Sequence, residues 1–173
     1  MNRKAFFLTI FAFVSLMSAN SINANPSNLS NLDQETSAEP VAADRIAVVR
    51  QFLEAIEAKD QETIDRLLSE NVVLEQPFSQ LQPGGIRVEG KQAANAFFDR
   101  IFQQYSQIRF VDVVIRQSQF DNAVILEGQG DFRVASNQSP YRNQYIGVLE
   151  VVDGQIVLIR EYFNPLIEPE TSA

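Results

Sequence analysis

The side chains that could do chemistry in this chain are few, and one stands apart. Near the C-terminus, Gln155 to Asn164 reads as a β-strand, and strand alternation places Glu161 on the face of Val157, Ile159 and Phe163, a single acid among apolar neighbours. A carboxyl held in such surroundings resists ionisation, which suits it to accept or donate a proton near neutral pH. The competing reading is an ion pair with an arginine such as Arg87 or Arg133, or a place at the sheet edge that water reaches. Glu127 precedes Gly128 and Gly130, two glycines that mark a bulge or bend in a strand; an exposed position on the outer side is the plainer account of it. Gln76 and Asn164 are uncharged hydrogen-bonding groups able to orient a carbonyl or hydroxyl, or to cap and fix loops.

What is missing narrows the chemistry further. The chain has no His and no Cys, so imidazole bases, thiolate nucleophiles, disulfides and the usual zinc, copper or haem ligand sets cannot come from it. Carboxylates, Tyr, Lys, Arg and hydroxyls remain as proton movers. No run of carboxylates suggests a metal site, so no metal and no cofactor are expected. The formal charge is -8, without the basic patch that phosphate backbones require, which argues against nucleic acid as a partner.

Several elements must position these groups. Asp44 is placed as the N-cap of an amphipathic helix carrying Ile46, Val49, Phe52, Leu53 and Ile56 and ending near Lys59. Asp60 caps a second helix, expected over residues 61–70, and a strand is expected over 72–76, stopped by Pro77. Gln82-Pro83-Gly84-Gly85 signals a turn before a short strand at Ile86–Val88, and Lys91 to Gln104 forms a third helix with Phe97, Phe98, Ile101 and Phe102 on its aromatic face. Four long strands follow, over 108–116, 122–134, 141–152 and 155–164. The last two are joined by Asp153-Gly154, a hairpin turn that needs positive φ at both positions. Helices gathered early and strands gathered late imply an α+β domain with helices covering one face of the sheet. Phe52, Phe97, Ile101 and Phe163 are candidate ligand contacts as well as core.

Both faces of the last strand are apolar, with Ile156, Leu158 and Tyr162 on the side opposite Glu161. The helices cover one side only, so a homodimer through the sheet is expected, the alternative cover being the linker or tail folded back.

Outside the domain, residues 1–24 have the order of a secretory signal peptide: Arg3 and Lys4, an apolar run from Ala5 to Met17, then small and polar residues up to Ala24. The run is shorter than the roughly 20 residues of a membrane span. Residues 25–43 are polar and aperiodic and read as a disordered linker, and 168–173 as a frayed tail. The domain is therefore placed at 44–167, in a periplasmic or secreted protein that meets no membrane after cleavage.

The order and spacing of these segments resemble the SnoaL-like group of the nuclear transport factor 2-like (NTF2-like) superfamily over 44–167. The resemblance is carried by Leu67-Leu68-Ser69-Glu70-Asn71-Val72-Val73-Leu74-Glu75-Gln76-Pro77, Val88-Glu89-Gly90-Lys91, Leu126-Glu127-Gly128-Gln129-Gly130, and Asp153-Gly154 through Asn164-Pro165. It implies a cone of three helices on a curved, mostly antiparallel sheet, with a pocket for a small, mostly apolar molecule. It also implies either a cofactor-free isomerase, cyclase or dehydratase or an inert binding module. In steroid isomerase-like members the general-base Asp falls on Gln76, a helix-one Tyr on Phe52 and a second acid near Ile146 or Gly147, so that proton-handling set is absent here. The phenazine-biosynthesis A/B-type members are nearer in pattern, through Glu127-Gly128-Gln129-Gly130, Asn143-Gln144-Tyr145 and Arg160-Glu161-Tyr162-Phe163-Asn164. Their catalytic Glu falls on Glu161 and their pocket His and Ser fall on Phe97 and Ile101. Tyr145 enters the candidate ligand contacts on this basis.

Overall fold

The computed structural model describes residues 41–170, with side chains placed from Arg45 onward. The expected leader, residues 25–40 of the expected linker and the last three residues lie outside that range. The first helix, α1, is Val41–Ala58. Asp44 therefore sits inside α1 and not at its cap: Ala42 and Ala43 are strong helix formers, and no breaker separates them from the rest.

At the end of α1, Lys59 turns the chain with a φ of 56°, while its amide and that of Asp60 return to Ile56 and Ala55. A lysine is useful at this strained position because its ammonium donates to the carbonyls of Phe102 (3.1 Å) and Tyr105 (2.5 Å), the free acceptors at the end of α3. Asp60 Oδ1 accepts from Thr63 N at 3.0 Å and starts α2, Gln61–Leu67. This helix is one turn shorter than its pattern suggested. Leu68 and Val72 are both fully buried, and an extended chain from Leu68 puts both into the core, so β1 runs Leu68–Gln76.

The remaining elements are β2 (Ile86–Glu89), α3 (Lys91–Gln104), β3 (Tyr105–Gln107), β4 (Phe110–Gln117), β5 (Ala123–Val134), β6 (Pro140–Val152) and β7 (Gln155–Phe163). β3 has no counterpart in the sequence pattern, since three residues are too few to show alternation. Asp153 and Gly154 have φ of 50° and 75°, as the hairpin turn requires. The strands form one seven-stranded sheet in the order β2-β1-β7-β6-β5-β3, with β4 also on β5. All pairs are antiparallel except β1 with β7. The result is an α+β domain of three helices and a mostly antiparallel sheet. Among the described residues no helix is long and apolar enough to cross a membrane.

One core unites the layers. Val49, Phe52, Ile64, Phe97 and Phe98 from the helices join Leu74, Val124, Leu126, Leu149, Ile156 and Ile159 from the sheet. The expected side assignment of β7 changes at one point. Val151 pairs with Ile156 but Glu150 pairs with Leu158, so Val157 is the extra residue of a β-bulge. The bulge shifts the phase by one, and Ile156 faces the core with Ile159 and Glu161 instead of sharing a side with Leu158 and Tyr162. It also leaves Arg160 on the outer side, where Leu158 and Tyr162 flank it.

Candidate functional site

Three strands deliver the site. β1 ends at Gln76 because Pro77 lacks the amide to continue pairing. The returning loop closes at Gly85, where a Cβ would lie 2.6 Å from the Gln76 carbonyl and φ is +83°, so only glycine fits. β7 brings Glu161 opposite Gly147 of β6. Alternate residues of β6, Tyr141, Asn143 and Tyr145, are all buried on the same face.

Glu161 is partly buried, and Gln76 Nε2 donates to its Oε1 at 3.0 Å. Burial among apolar groups raises its pKa from an ordinary 4.5 to about 7; the Gln76 hydrogen bond, which favours the charged form, opposes this only in part. Among the described residues no salt bridge reaches Glu161. The arginine alternative is thereby resolved: Arg87 pairs with Glu75 and Glu89, and Glu161 has an amide for a partner.

Two phenols sense that carboxylate. Burial, Glu161 and then Tyr141 push the Tyr145 phenol far above its usual range, and Tyr141 also hydrogen-bonds to it. Tyr105 is raised by burial first, then by Tyr141 and Glu161. Both are neutral hydrogen-bond donors at any working pH. Around them Phe132 stacks on Tyr145 with centroids 5.9 Å apart, Tyr105 stacks on Tyr141 at 5.6 Å, and Phe163 lies 6.2 Å from Tyr145. The glycines make room: a Cβ on Gly130 would stand 2.7 Å from Tyr145 Cε2, and one on Gly147 would stand 2.9 Å from Leu126 Cγ.

Asn143 is 4% exposed and fully used. Its Nδ2 donates to the Tyr141 hydroxyl (3.0 Å) and to the Asn164 carbonyl (2.9 Å), while its Oδ1 accepts from Asn164 N (3.1 Å) and from Gln144 N (2.8 Å). It anchors the segment after β7, which is tied again where Asn137 Nδ2 and Ser139 Oγ donate to the Glu170 carbonyl.

Of the residues singled out from sequence, Glu161, Gln76, Tyr145 and Phe163 gather here. Gln76 is the orienting partner of the acid. Phe52 (3% exposed) and Phe97 (9%) are core, edge-on to Phe98, and Ile101 packs at the margin of the same core. Asn164 is exposed, and its Oδ1 accepts from Leu166 N at 3.0 Å, which fixes the turn. Glu127 lies outside, 2.8 Å from Arg116. Tyr105, Tyr141 and Asn143 were not singled out as site residues. The two β6 positions carried a signal, the i, i+2, i+4 spacing with Tyr145 on one strand face; Tyr105 carried none. Among the described residues no group of three or more carboxylates is arranged to hold a metal ion.

The SnoaL-like domain family matches residues 49–159 of the chain, which takes in most of the helical layer and every strand but the last half of β7. The chain belongs to this family. Its SnoaL-like, NTF2-like character extends to individual relatives. It is 36% identical over 124 residues to the uncharacterised protein YesE of Bacillus subtilis, covering 70% of this chain and 82% of YesE. It is 35% identical over 95 residues to an uncharacterised PhzA/B-like protein of Pseudomonas aeruginosa, covering 54% of this chain and 65% of that one. The crystal structure of a phenazine biosynthesis-related protein, also from Pseudomonas aeruginosa, superposes with a TM-score of 0.67 at 14% identity, covering 82% of this chain and 85% of that one. That last likeness is one of fold. The SnoaL-like domain thus places its acid, one amide and two coupled tyrosines on the helix-covered face of the sheet.

Proposed function

We propose that this SnoaL-like domain binds a small, mostly apolar molecule against the helix-covered face of its sheet and moves a proton on it with Glu161, without a cofactor. Isomerisation, dehydration and cyclisation are the reactions such a group permits. The observation that carries this reading is the position of Glu161 among apolar side chains, ionising near neutral pH, with Gln76 orienting one oxygen. Tyr145 supplies a neutral donor beside it for an oxygen that gains charge.

The test follows deuterium exchange next to the carbonyl of a panel of small cyclic enones and β-ketoesters by proton NMR near neutral pH. Exchange accelerated by the protein and lost in Glu161→Gln, with the melting temperature equal or higher, is the expected result. Equal exchange by the variant refutes the proton-transfer role. No exchange and no thermal shift with any member favours the second reading, a non-catalytic dimerising module. That reading draws on Phe52, Phe97 and Ile101 occupying positions where family enzymes carry polar groups.

We propose further that the outer sheet face is covered by a second copy of the chain, because Val114, Ile146 and Val152 are 44%, 46% and 38% exposed on it. Light scattering on the wild type and on Ile146→Arg tests this, a monomeric variant being expected. The leader-like start supports a periplasmic or secreted protein, for which N-terminal sequencing of the exported form should read from Asn25.

A further inference from the structure

Two side-chain pairs cross the parallel seam between β1 and β7, one on each face of the sheet. On the inner face Gln76 Nε2 donates to Glu161 Oε1 at 3.0 Å. On the outer face Arg160 Nε donates to Glu75 Oε2 at 2.6 Å, and Arg87 of β2 reaches Glu75 Oε1 from the other side. The residues are consecutive in both strands: Glu75 with Gln76, Arg160 with Glu161.

The seam itself is thin near this point. Its register runs Val73 with Leu158, Leu74 with Ile159 and Glu75 with Arg160, after an irregularity that separates these from Leu68 with Ile156. Gln76 lies one residue past the last of these rungs, and Pro77 has no N–H with which to prolong the ladder. Backbone pairing with β7 therefore stops just short of the residue that orients the acid.

Glu75 makes good the shortfall. A carboxylate held by two arginines forms charge-assisted bonds stronger than neutral ones; its side chain is only 17% exposed, while those of Arg87 and Arg160 reach solvent at 54% and 37%. Arg160 first, and then Arg87, hold the Glu75 carboxyl below the usual carboxylate range. It stays charged wherever Glu161 titrates, and the clamp does not open as Glu161 gains or loses its proton.

We propose that Glu75, clamped between Arg87 and Arg160 on the outer face, is a positioning residue that fixes the end of β1 against β7 and thereby holds the Gln76 amide on Glu161. This rests on the reading of Glu161 as the acid/base group of the site.

The sign of one measurement separates this role from a purely electrostatic one. Taking away the negative charge of Glu75, and leaving Arg160 unpaired, would by direct field effect make Glu161 easier to ionise and lower its midpoint. Loss of the Gln76 hydrogen bond acts in the opposite sense, because that bond favours the ionised form. The other titratable groups coupled to Glu161 are the phenols of Tyr145 on β6 and Tyr105 on β3, both neutral throughout.

The experiment is a carboxyl 13C NMR titration of the full chain, with the Glu161 resonance assigned by its absence in Glu161→Gln. Gln76→Leu should move the midpoint up by about one pH unit, the size of a lost hydrogen bond to a charged group. Glu75→Ala should move it up as well, by less, and the double variant should rise no further than Gln76→Leu alone, because the Gln76 hydrogen bond can be lost only once and the lost charge acts downward. A Glu161 midpoint that falls or stays fixed in folded Glu75→Ala overturns the proposal. Should that variant not fold, Glu75→Gln keeps the shape and a neutral hydrogen bond, with a smaller rise expected; a fall or no change overturns the proposal equally. A wild-type Glu161 titrating near 4.5 would instead remove the acid/base reading itself, whereas a raised midpoint indifferent to Glu75 removes the clamp alone.

Discussion

Gln76 and Glu161 meet at 3.0 Å although 85 positions separate them in the chain. The contact joins the last residue of β1 to β7, the strand that β1 meets in parallel. It gives the buried acid a neutral partner: an arginine in place of Gln76 would hold Glu161 ionised at every useful pH, whereas an amide orients it and leaves the proton mobile.

Stability should fall between pH 5 and pH 8. The folded pKa of Glu161, about 7, lies above the ordinary 4.5. Its contribution is therefore fully present below about 4.5 and is lost as pH rises through about 7, on the order of 3 kcal/mol at roughly 1.4 kcal/mol per pH unit. Glu75, Asp60 and Asp121 are shifted downward and change stability only in acid, outside this window. Urea titrations at the two pH values should show the loss in wild type and a flatter profile in Glu161→Gln; identical profiles would contradict the assignment.

Asn143→Leu should cost about 2–3 kcal/mol. The change removes the amide that donates to the buried Tyr141 hydroxyl and releases both backbone groups of Asn164. Hydrogen exchange over residues 164–170 should accelerate in the same variant, while Asn164→Ala, which loses an exposed turn bond, should cost well under half as much.

Gly130→Ala tests how closely the site is packed. The new methyl would meet Tyr145 at 2.7 Å and Phe132 at 3.0 Å, both in ring edges with little freedom to move. Overpacking of this kind costs about 1–3 kcal/mol, and displacement of Tyr145 should lower any exchange activity beyond what the stability loss explains. Chemical denaturation and the NMR exchange assay measure the two effects separately.

Tyr145→Phe removes a neutral phenol donor that feels the charge of the acid and leaves the ring. If Tyr145 stabilises a developing oxyanion, kcat should drop about 100-fold with KM nearly unchanged, the pattern of an interaction made mainly in the transition state. A variant with unaltered kcat would restrict Tyr145 to packing.

Much of the fold could be read from the chain because its signals are local. Asp60 caps α2, Lys91 to Gln104 keeps helical spacing, and Asp153-Gly154 sets the hairpin, each through neighbours within a few residues. The Glu161 assignment also came from local alternation, since Ile159, Glu161 and Phe163 lie beyond the bulge, where the period of two is unbroken.

What the linear order could not contain is whatever depends on register between distant strands. The bulge at Val157 moves Ile156 to the core side, and it arises from how β7 must pair with β6 on one side and β1 on the other. The same register seats Gln76 on Glu161 and Glu75 on Arg160. It also decides that Asn143 holds Asn164 and that Tyr105, from a three-residue strand, stacks on Tyr141. The types and spacing of residues determined by themselves that this chain would be an α+β domain with one acid on an apolar strand face. Only the tertiary structure decided which groups face that acid, because hydrogen bonds and burial are set by distances in space that no sequence separation encodes.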